Sequence, residues 1–437
     1  MPGHDGRHGP LMRASAPLPG APWHWQRVAA LCCLMLAGEA IFSLPFHIAR
    51  FFRPTVLAAF EIGNAALGDA YAIYGLTAML SYFPGGMLAD HWRARGLMTF
   101  ALLATALGGL YLASFPGPTG LKLLYGYWGV TTILPFWAAL IRSTREWGGA
   151  LAQGRAFGLL DAGRGLVAAA FAAVAVSLLG DGLLDAVIDP DARSAQLRIV
   201  ILYYTALTAG AGVCCWWFVP DSPALHAASV PSLARLRAAL ALPRVWRQAA
   251  IVVAAYCGYK GIDNYSLYAV QVADMGEVEA SRFVANAAWL RPVGALLAGL
   301  LADRWRASSC LAALFVLAAL SYALLGISSA EPAFRGLVVA NLAFSMAAVY
   351  GLRGVYFAAM EEARVPAAQT GAAVGLISVV GYTPDVFFAP IAGRLLDAAP
   401  GLAGHQHYFL LLAAIAVVGA GFSLALGRRP RLHPEKQ

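Results

Sequence analysis

The sequence predicts an all-α membrane protein with twelve transmembrane helices, arranged in two pseudo-symmetric halves of six. Three observations support this fold class. Hydrophobic residues make up 60% of the 437-residue chain and charged residues only 12%, whereas soluble proteins carry about 25% charged residues. The apolar residues gather in twelve runs, most of them long enough to cross a hydrocarbon core of roughly 30 Å. A ten-residue segment also occurs twice, about half a chain apart.

The twelve apolar runs divide evenly between the two halves of the chain. The first six lie near residues 28–52, 70–90, 97–115, 121–141, 156–180 and 198–219. The second six lie near residues 249–273, 281–302, 309–328, 334–360, 370–394 and 407–426. We therefore predict an N-terminal six-helix bundle over 27–219 and a C-terminal six-helix bundle over 249–427.

Three polar segments lie outside the two bundles. Residues 1–26 are rich in Pro, Gly, His and Arg, which predicts a disordered cytoplasmic tail, and residues 428–437 form a second cytoplasmic tail. Between the bundles, residues 220–248 include a stretch from Ser232 to Leu240 with apolar residues at helical spacing and two arginines on the other face. We predict a linker here that contains an amphipathic helix on the inner membrane surface.

The charged residues between the runs predict the orientation in the membrane. On the side of the N terminus, the connections and the C-terminal tail contain Arg93, Arg95, Arg142, Arg145, Arg155, Arg304, Arg306, Arg428, Arg429 and Arg431. The opposite connections carry acidic residues, for example Glu61, Asp69 and Asp274. Basic connections face the cytoplasm, so we predict a multi-pass protein of the inner (plasma) membrane with both termini cytoplasmic. The dispersed arginines also account for the formal charge of +8, and no nucleic-acid partner is expected.

The repeated segment runs from Gly86 to Arg95, and its second copy begins at Gly299, 213 residues later (299 − 86 = 213). Both copies resemble the loop motif between the second and third helices of major facilitator superfamily transporters. The resemblance implies the twelve-helix fold of that superfamily and a gating role for the motif. The gating residues that it implies are Gly86, Asp90, Arg93, Arg95, Gly299, Asp303 and Arg304.

In that superfamily the motif carboxylate holds the cytoplasmic side shut by using the positive end of the eleventh helix together with a loop arginine. The resemblance therefore implies that Asp90 pairs with Arg93 or Arg95 and with the start of a helix capped by Thr370. Asp303 is expected to play the matching part in the second half of the chain.

Among the charged residues within the apolar runs, nine are candidates for a functional role. They are Glu39, Arg50, Asp161, Arg164, Lys260, Asp263, Arg291, Arg353 and Asp385. A charge near the bilayer centre costs about 2.5 to 3.5 kcal/mol, so each one needs a partner or a water-filled cavity. Asp161 with Arg164, and Lys260 with Asp263, are three residues apart, so each pair shares a helix face and can neutralise itself.

Three of these residues lie in segments that resemble organophosphate:phosphate antiporters of the same superfamily. Arg50 ends the stretch Phe46-His47-Ile48-Ala49-Arg50, which resembles a Tyr-x-x-Arg stretch in their first helix. Lys260 lies close to the position of their seventh-helix Arg, and Arg164 lies in a Gly-rich segment similar to theirs. Near versions of Arg53-Pro54-Thr55 and of the segment from Gly381 to Asp385 also occur in uncharacterised bacterial permeases of the superfamily.

Basic groups from both halves of a bundle are the side chains needed to bind an anion at its midplane. We predict that Arg50, Arg164, Lys260 and Arg353 bind the substrate. Glu39, Asp161 and Asp263 are candidates for proton coupling or for charge pairs with these cations.

The function predicted from the sequence is secondary active transport of a small organic anion by alternating access. The anion is a phosphorylated or carboxylated metabolite, and the driving force is proton symport or exchange against another anion. Three alternatives remain: a transporter-like sensor of an extracellular anion, transport of nitrate or nitrite, and drug efflux. The chain has no Walker A motif and no catalytic constellation in a suitable context, so we expect that it is not an enzyme. We also expect no cofactor and no metal. We expect the protein to be a monomer.

Overall fold

The computed structural model of the chain is helical throughout the part that it describes. It describes residues 25–149, 153–186, 190–220, 233–329, 331–360, 362 and 370–427. Helices cover all twelve predicted apolar runs, and we number the corresponding spans 1 to 12 in chain order. Most of the predicted tails, 1–24 and 428–437, and residues 221–232 of the predicted linker lie outside the described residues.

The first six spans have these bounds. Span 1 comprises Trp25–Phe42, the π-helical Ser43–His47 and Ile48–Phe51; span 2 is Asn64–His91, preceded by the short helix Arg53–Ala59; span 3 is Ala94–Leu112; span 4 comprises Pro118–Ile133 and Trp137–Gly148; span 5 is Gln153–Ala186; span 6 is Pro190–Phe218. The helix Leu233–Leu240 follows, within the predicted linker, and contacts spans 7 and 11. Its position on a membrane surface stays a prediction.

The second six spans have these bounds. Span 7 comprises Pro243–Gly261, the 3-10 helix Ile262–Asn264 and Tyr265–Gln271; span 8 comprises Glu277–Ala287 and Leu290–Arg304; span 9 is Ala307–Ile327; span 10 is Arg335–Val355, flanked by the 3-10 turns Pro332–Phe334 and Ala358–Met360; span 11 comprises Thr370–Gly381 and Pro384–Ala398; span 12 is Leu402–Gly427. The division into domains at 219 and 249 stays a prediction.

Several helices are longer than the apolar runs that predicted them. Span 2 begins at Asn64 rather than near residue 70, and span 6 begins at Pro190 rather than near residue 198. The helix beginning at Trp25 also starts inside the predicted tail. An apolar run marks only the part of a helix inside the hydrocarbon, whereas backbone hydrogen bonding continues into the polar boundary of a bilayer.

Within the described residues, ten helices are long and apolar enough to cross a membrane, or up to eleven if the pair Arg53–Ala59 and Asn64–His91, bent by 101°, counts as one span. Span 7 does not appear among them, and it contains Arg244, Arg247 and Lys260. Its residues are mostly buried against other helices rather than exposed to lipid, so it does not need an apolar surface. Large apolar side chains cover the outer surface of the bundle, as expected for a protein in lipid.

Five spans are interrupted near their middle, in most cases close to a proline. Pro45 lies in the π-helical segment of span 1, Pro135 lies between the two helices of span 4, and Pro384 begins the second helix of span 11. Proline lacks a backbone N–H and clashes with the preceding turn, which explains these breaks. Four of the five breaks, those in spans 1, 4, 7 and 11, lie next to residues that line a cavity at the middle of the bundle.

The two ends of the bundle differ in how the six-helix halves meet. We call the end at which span 1 begins and span 12 finishes the terminal end, and the opposite end the distal end. Spans 2 and 11 lie antiparallel against each other toward the distal end, and glycines allow their backbones to touch. A Cβ atom added at Gly68 would lie 2.5 Å from the carbonyl oxygen of Ala389, and one added at Gly75 would lie 2.6 Å from the backbone of Asp385.

Polar contacts also join the halves at the distal end. The Thr55 hydroxyl donates to Glu277 Oε2 at 2.7 Å, and Arg193 Nη2 lies 3.2 Å from Glu277 Oε1. Asp397 Oδ1 accepts hydrogen bonds of 3.0 Å from the backbone and the side-chain amide of Asn64. These contacts connect the starts of spans 2, 6 and 8 with the end of span 11, and they close the distal end.

Candidate functional site

A cavity of about 80 Å³ lies between the two halves at the middle of the bundle. Spans 1, 2, 4 and 5 line it from one half, and spans 7, 10 and 11 line it from the other. Its charged or titratable lining residues are Glu39, His47, Arg50, Arg164, Lys260, Arg353 and Asp385. All four predicted substrate-binding cations therefore share one cavity.

The nine charged residues predicted inside the membrane form two groups of four and one single residue. The Glu39 quartet consists of Glu39, Asp161, Arg164 and Arg291. The Asp263 quartet consists of Arg50, Lys260, Asp263 and Asp385. Each quartet holds two cations and two carboxylates, and each draws three members from one half and one arginine from the other. The remaining residue is Arg353.

In the Glu39 quartet, a buried carboxylate gathers cations from three spans. Glu39 Oε2 accepts from Arg164 Nε at 3.0 Å, and its Oε1 accepts from Arg291 Nη1 at 3.1 Å. Arg291 Nη2 also lies 3.2 Å from Asp161 Oδ1. His47 Nε2 is 3.2 Å from Glu39 Oε1. Because Arg291 belongs to span 8 and the other three members to spans 1 and 5, the quartet joins the two halves.

The Asp263 quartet takes three of its members from the C-terminal half of the chain. Its single residue from the N-terminal half is Arg50, whose Nε lies 2.5 Å from Asp263 Oδ1. Lys260 Nζ bridges Asp263 at 3.4 Å and Asp385 at 3.3 Å. The Tyr256 hydroxyl donates to Asp385 Oδ2 at 3.0 Å. A charge network of this kind tolerates burial because every charge has an opposite partner.

Arg353 differs from the other cations that line the cavity. No carboxylate among the described residues pairs with it, and its Nη1 atom is buried without a hydrogen-bond acceptor. Its guanidinium carbon lies 4.0 Å from the ring centroid of Tyr259, and that of Arg50 lies 4.5 Å from the same centroid. The Tyr259 ring therefore contacts both Arg50, which pairs with Asp263, and Arg353, which pairs with no carboxylate among the described residues. A buried donor without an acceptor is costly, so an acceptor supplied by a ligand would stabilise this arrangement.

The pairs expected from helical spacing exist but are not the closest ones. Arg164 Nη1 lies 4.0 Å from Asp161 Oδ1, and Lys260 lies 3.4 Å from Asp263. The shorter contacts of both aspartates reach the other half of the molecule, to Arg291 and Arg50. Ion pairs within one helix are therefore only part of the network, and for both aspartates the shorter ion pair is the one between the two halves.

Sequence reasoning missed the aromatic lining of the cavity. Eight aromatic side chains contribute to its wall: Phe42, Phe46, Tyr74, Tyr82, Trp137, Tyr256, Tyr259 and Tyr382. Lys260 Nζ lies 4.0 Å from the ring centroid of Phe46. The signal available in the sequence was the density of tyrosines in span 7, at positions 256, 259, 265 and 268. The first two line the cavity, while Tyr265 and Tyr268 are fully buried.

The predicted gating motif lies at the terminal end, where span 2 finishes. Asp90 is half-buried there. Arg142 of span 4 donates to the backbone carbonyls of Ala89 and Trp92, so it ties the motif to its own half. Arg93 and Arg95 also make contacts. The side chain of Thr370, the predicted cap, lies outside the described residues, and the gating role of Asp90 stays a prediction.

The second copy of the motif has a partner that the sequence did not suggest. Glu362 accepts from the Ser308 backbone N–H at 3.0 Å and from the Ser308 hydroxyl at 2.6 Å. Arg306 Nη2 also lies 3.2 Å from Glu362 Oε2. Ser308, where the first copy has Arg95, therefore serves as a hydrogen-bond donor. The roles of Gly299, Asp303 and Arg304 stay predictions.

Comparison with known proteins agrees with the fold and the repeat. The family model of the Major Facilitator Superfamily matches residues 32–389. The Escherichia coli inner membrane protein YihN is 28% identical over 419 residues, covering 92% of this chain and 95% of YihN. The E. coli inner membrane protein YqcE is 26% identical over 406 residues, covering 90% and 93%. A probable nitrate/nitrite transporter of Mycobacterium tuberculosis, NarK2, is 26% identical over 216 residues, about half of each chain.

Solved structures show the same architecture. A bacterial homolog of the human lysosomal transporter Spinster, in an inward-facing and occupied conformation, superposes with a TM-score of 0.71 at 14% identity, over 93% of this chain and 97% of that one. The nucleoside transporter NupG gives a TM-score of 0.66 at 15% identity, over 93% and 100%. These likenesses establish the fold alone. With the family match over most of its length, the chain belongs to the Major Facilitator Superfamily and is a membrane transporter, not an enzyme.

Proposed function

We propose that this transporter moves a small organic anion by alternating access. The observation that carries the proposal is Arg353, a guanidinium on the wall of the central cavity with a buried donor that lacks an acceptor. A carboxylate or phosphate oxygen is a strong acceptor for such a group. The other predicted substrate-binding cations, Arg50, Arg164 and Lys260, position this site through their ion pairs and become secondary contacts when an anion is bound.

The rest of the cavity supports an organic rather than a bare inorganic anion. Rings from Phe46, Trp137 and Tyr382 contribute to a wall that is largely apolar between the charged groups. Aromatic faces pack well against the carbon skeleton of a metabolite, and tyrosine hydroxyls add hydrogen bonds. Transport of nitrate or nitrite is the second candidate, because NarK2 resembles half of the chain. Nitrate offers no carbon skeleton for the aromatic wall.

Transport requires the distal closure to open. Arg50 and Asp263 lie on opposite halves, so rocking of the halves separates this pair while the terminal end closes. We assign the terminal end to the cytoplasm because the arginine-rich connections lie there. In this orientation the structure is closed on the outside. An anion that enters the cavity competes with the carboxylates for Arg50 and Lys260, which couples binding to the rearrangement.

The paired carboxylates favour anion exchange over proton symport. Glu39, Asp161 and Asp263 are the candidate proton carriers, and each lies within 3.2 Å of at least one cation in another span. Protonating any of them would break an ion pair that joins the halves. Exchange needs no titrating carrier, because the second anion resets the transporter.

The test uses the full chain in proteoliposomes and in detergent. A panel of hexose phosphates, hexuronates, nitrate and neutral sugars is screened by thermal stabilisation, because a ligand that binds only the folded state raises Tm. We expect an organic anion to stabilise the protein and to be exchanged across the vesicle membrane. Arg353→Gln should weaken anion binding at least tenfold, since one charge-assisted contact contributes about 1.5 to 3 kcal/mol. The Tm shift and the exchange rate at a fixed anion concentration should both decrease.

The matched control is Arg335→Gln, which changes an arginine of the same span. The Arg335 side chain is 40% exposed and pairs with Glu279 outside the cavity, so its loss should leave transport intact. Binding without transport would favour a sensor. Stabilisation by neutral compounds only, or an Arg353→Gln variant that responds like wild type, would overturn the anion proposal.

A further inference from the structure

We propose that the transported anion also carries a hydroxyl group, and that His47 accepts the hydrogen bond from this hydroxyl. This inference rests on the proposed function and adds a second chemical group that the substrate must have. It comes from two buried side-chain atoms at the central cavity that need partners of opposite kinds. The ligands that meet both needs are hydroxylated carboxylates and hydroxylated phosphate esters, not unsubstituted carboxylates or nitrate.

Two residues that line the cavity hold a buried side-chain atom without a hydrogen-bond partner among the described residues. They are Arg353, through Nη1, and His47, through Nδ1. The other described side chains with such an atom, for example Tyr204 and Tyr322, do not line the cavity. A buried polar atom without a partner is costly, so two of them at one small cavity indicate that a ligand supplies the missing partners.

The contact with Glu39 determines what kind of partner His47 needs. His47 Nε2 lies 3.2 Å from Glu39 Oε1, and Glu39 also pairs with Arg164 and Arg291. A carboxylate with two arginine partners is charged and can only accept, so Nε2 carries the hydrogen. A proton on Nδ1 as well would place a third cation around one carboxylate, so we assign the ring as neutral imidazole. Nδ1 is then a bare acceptor that needs a donor.

The two atoms therefore select different groups of the ligand. For the Arg353 donor, a carboxylate or phosphate oxygen is a strong acceptor. His47 Nδ1 accepts from an O–H or N–H group. An ammonium group would add a cation close to Arg164 and Arg291, which share Glu39 with His47. A hydroxyl group carries no charge and is the donor that fits.

A ligand held by both atoms contacts both halves of the molecule, because His47 belongs to span 1 and Arg353 to span 10. Tyr259 connects their surroundings, since its ring centroid lies 4.5 Å from the guanidinium carbon of Arg50 and 4.0 Å from that of Arg353. The hydroxyl uses the ring nitrogen that does not contact Glu39, so the contact between His47 and Glu39 remains. Binding across the halves is what allows a ligand to bias their docking.

The experiment compares anions with a similar six-membered ring that differ in their hydroxyl groups. Glucuronate is paired with cyclohexanecarboxylate, and glucose 6-phosphate is paired with cyclohexylmethyl phosphate. Glucose supplies the hydroxyl groups without the charge. Kd values are measured by calorimetry on the full chain in detergent, with the wild type and each variant.

The main variant is His47→Phe, which keeps an aromatic ring and removes both ring nitrogens. We expect it to weaken binding of the hydroxylated anions at least fivefold and to leave binding of the unhydroxylated anions within twofold of the wild type. Comparison within a pair removes any general effect of the substitution on the cavity. His47→Gln should recover part of the loss, because glutamine offers both a donor for Glu39 and an acceptor.

The matched control is His405→Phe. His405 is also fully buried, and its Nδ1 also lacks a partner among the described residues, but it does not line the cavity. The ring contacts Gln271 through Nε2 at 2.9 Å, so this variant loses a comparable contact. Binding of all four anions should stay within twofold of the wild type.

If His47→Phe does not fold, ligands with one hydroxyl removed provide the second test on the wild type. Single-deoxy analogues are made from whichever of glucuronate and glucose 6-phosphate binds more tightly. Removal of one particular hydroxyl should weaken binding at least fivefold. A series in which no analogue loses that much would overturn the inference.

The outcomes separate the two proposals. If no anion binds the wild type more tightly than glucose does, the proposed function fails. If anions bind but His47→Phe changes both members of each pair equally, or changes neither, only the hydroxyl inference fails.

Discussion

The two quartets have the same composition but differ in their contact with solvent. The side chains of Arg50, Lys260 and Asp263 are 3% to 7% exposed, and that of Asp385 is 15% exposed. In the Glu39 quartet the side chain of Asp161 is 41% exposed. Water therefore reaches one member of the Glu39 quartet and hardly any of the Asp263 quartet.

This difference in exposure predicts that the two quartets contribute differently to holding the halves together. In a dry site an ion pair is strong, and an unpaired charge is correspondingly costly. At a wetter site water replaces part of a lost contact. The Asp263 quartet should therefore act as a rigid connection across the molecule, whereas the Glu39 quartet should tolerate rearrangement.

The largest effect should come from removing the central carboxylate of the dry quartet. Asp263→Asn leaves Lys260 paired with Asp385 and removes the one carboxylate that Arg50 contacts among the described residues. We expect the free energy of unfolding to fall by about 3–5 kcal/mol, the usual result of breaking a buried pair. Thermal denaturation in detergent measures it.

The control for Asp263→Asn is the double variant Arg50→Gln with Asp263→Asn. It restores the charge balance and should regain a large part of the lost stability. A single variant as stable as the wild type would show that the Asp263 quartet does not hold the halves together.

A smaller effect should follow from enlarging a residue where spans 2 and 11 touch. Gly75→Val places carbon atoms against the backbone of Asp385, beside the dry quartet. Overpacking of this kind costs about 1–3 kcal/mol, which shifts the equilibrium toward a distal-open form by roughly five- to 150-fold. Labelling of Met79→Cys in a cysteine-free chain, with an impermeant thiol reagent added from the distal side, reports the shift.

Gly210→Val is the steric control, because a Cβ at Gly210 has no neighbour within 4 Å. It should leave the labelling rate unchanged. Equal labelling of the Gly75 variant and the wild type would mean that this glycine contact does not keep the distal end closed.

The smallest effect should come from the exposed member of the wetter quartet. Asp161→Asn leaves Arg291 bound to Glu39, and the lost contact was already screened by water. We expect a change in unfolding free energy of less than about 1 kcal/mol. The melting experiment that tests Asp263→Asn measures this variant too. A loss as large as that of Asp263→Asn would remove the distinction between the two quartets.

The fold was largely predictable from the sequence. Runs of apolar residues identify spans because the bilayer is a uniform solvent with a fixed thickness. The copies at Gly86 and Gly299 identify the duplication without any structure. Span 7 shows the limit of hydropathy, because burial among other helices frees it from the need to be apolar, and Lys260 lies inside it.

The partners of the buried charges were not predictable to the same degree. Spacing along one helix indicates Asp161 with Arg164, but it contains no information about the other half of the molecule. The contacts from Arg291 to Glu39 and from Arg50 to Asp263 link residues 252 and 213 positions apart. They depend on how the halves dock. That Arg353 has no carboxylate partner becomes visible only when the other eight candidate charges have been assigned to the two quartets.

The separation of Arg50 and Asp263 has a consequence for the history of the chain. They are 213 residues apart, which is also the offset between the two copies of the motif. Duplication of one ancestral unit would at first have placed the same amino acid at both positions. Two arginines, or two aspartates, would then have faced each other across the midline. The present pair requires that at least one copy has changed its residue at this position, so the two halves of the chain are no longer interchangeable.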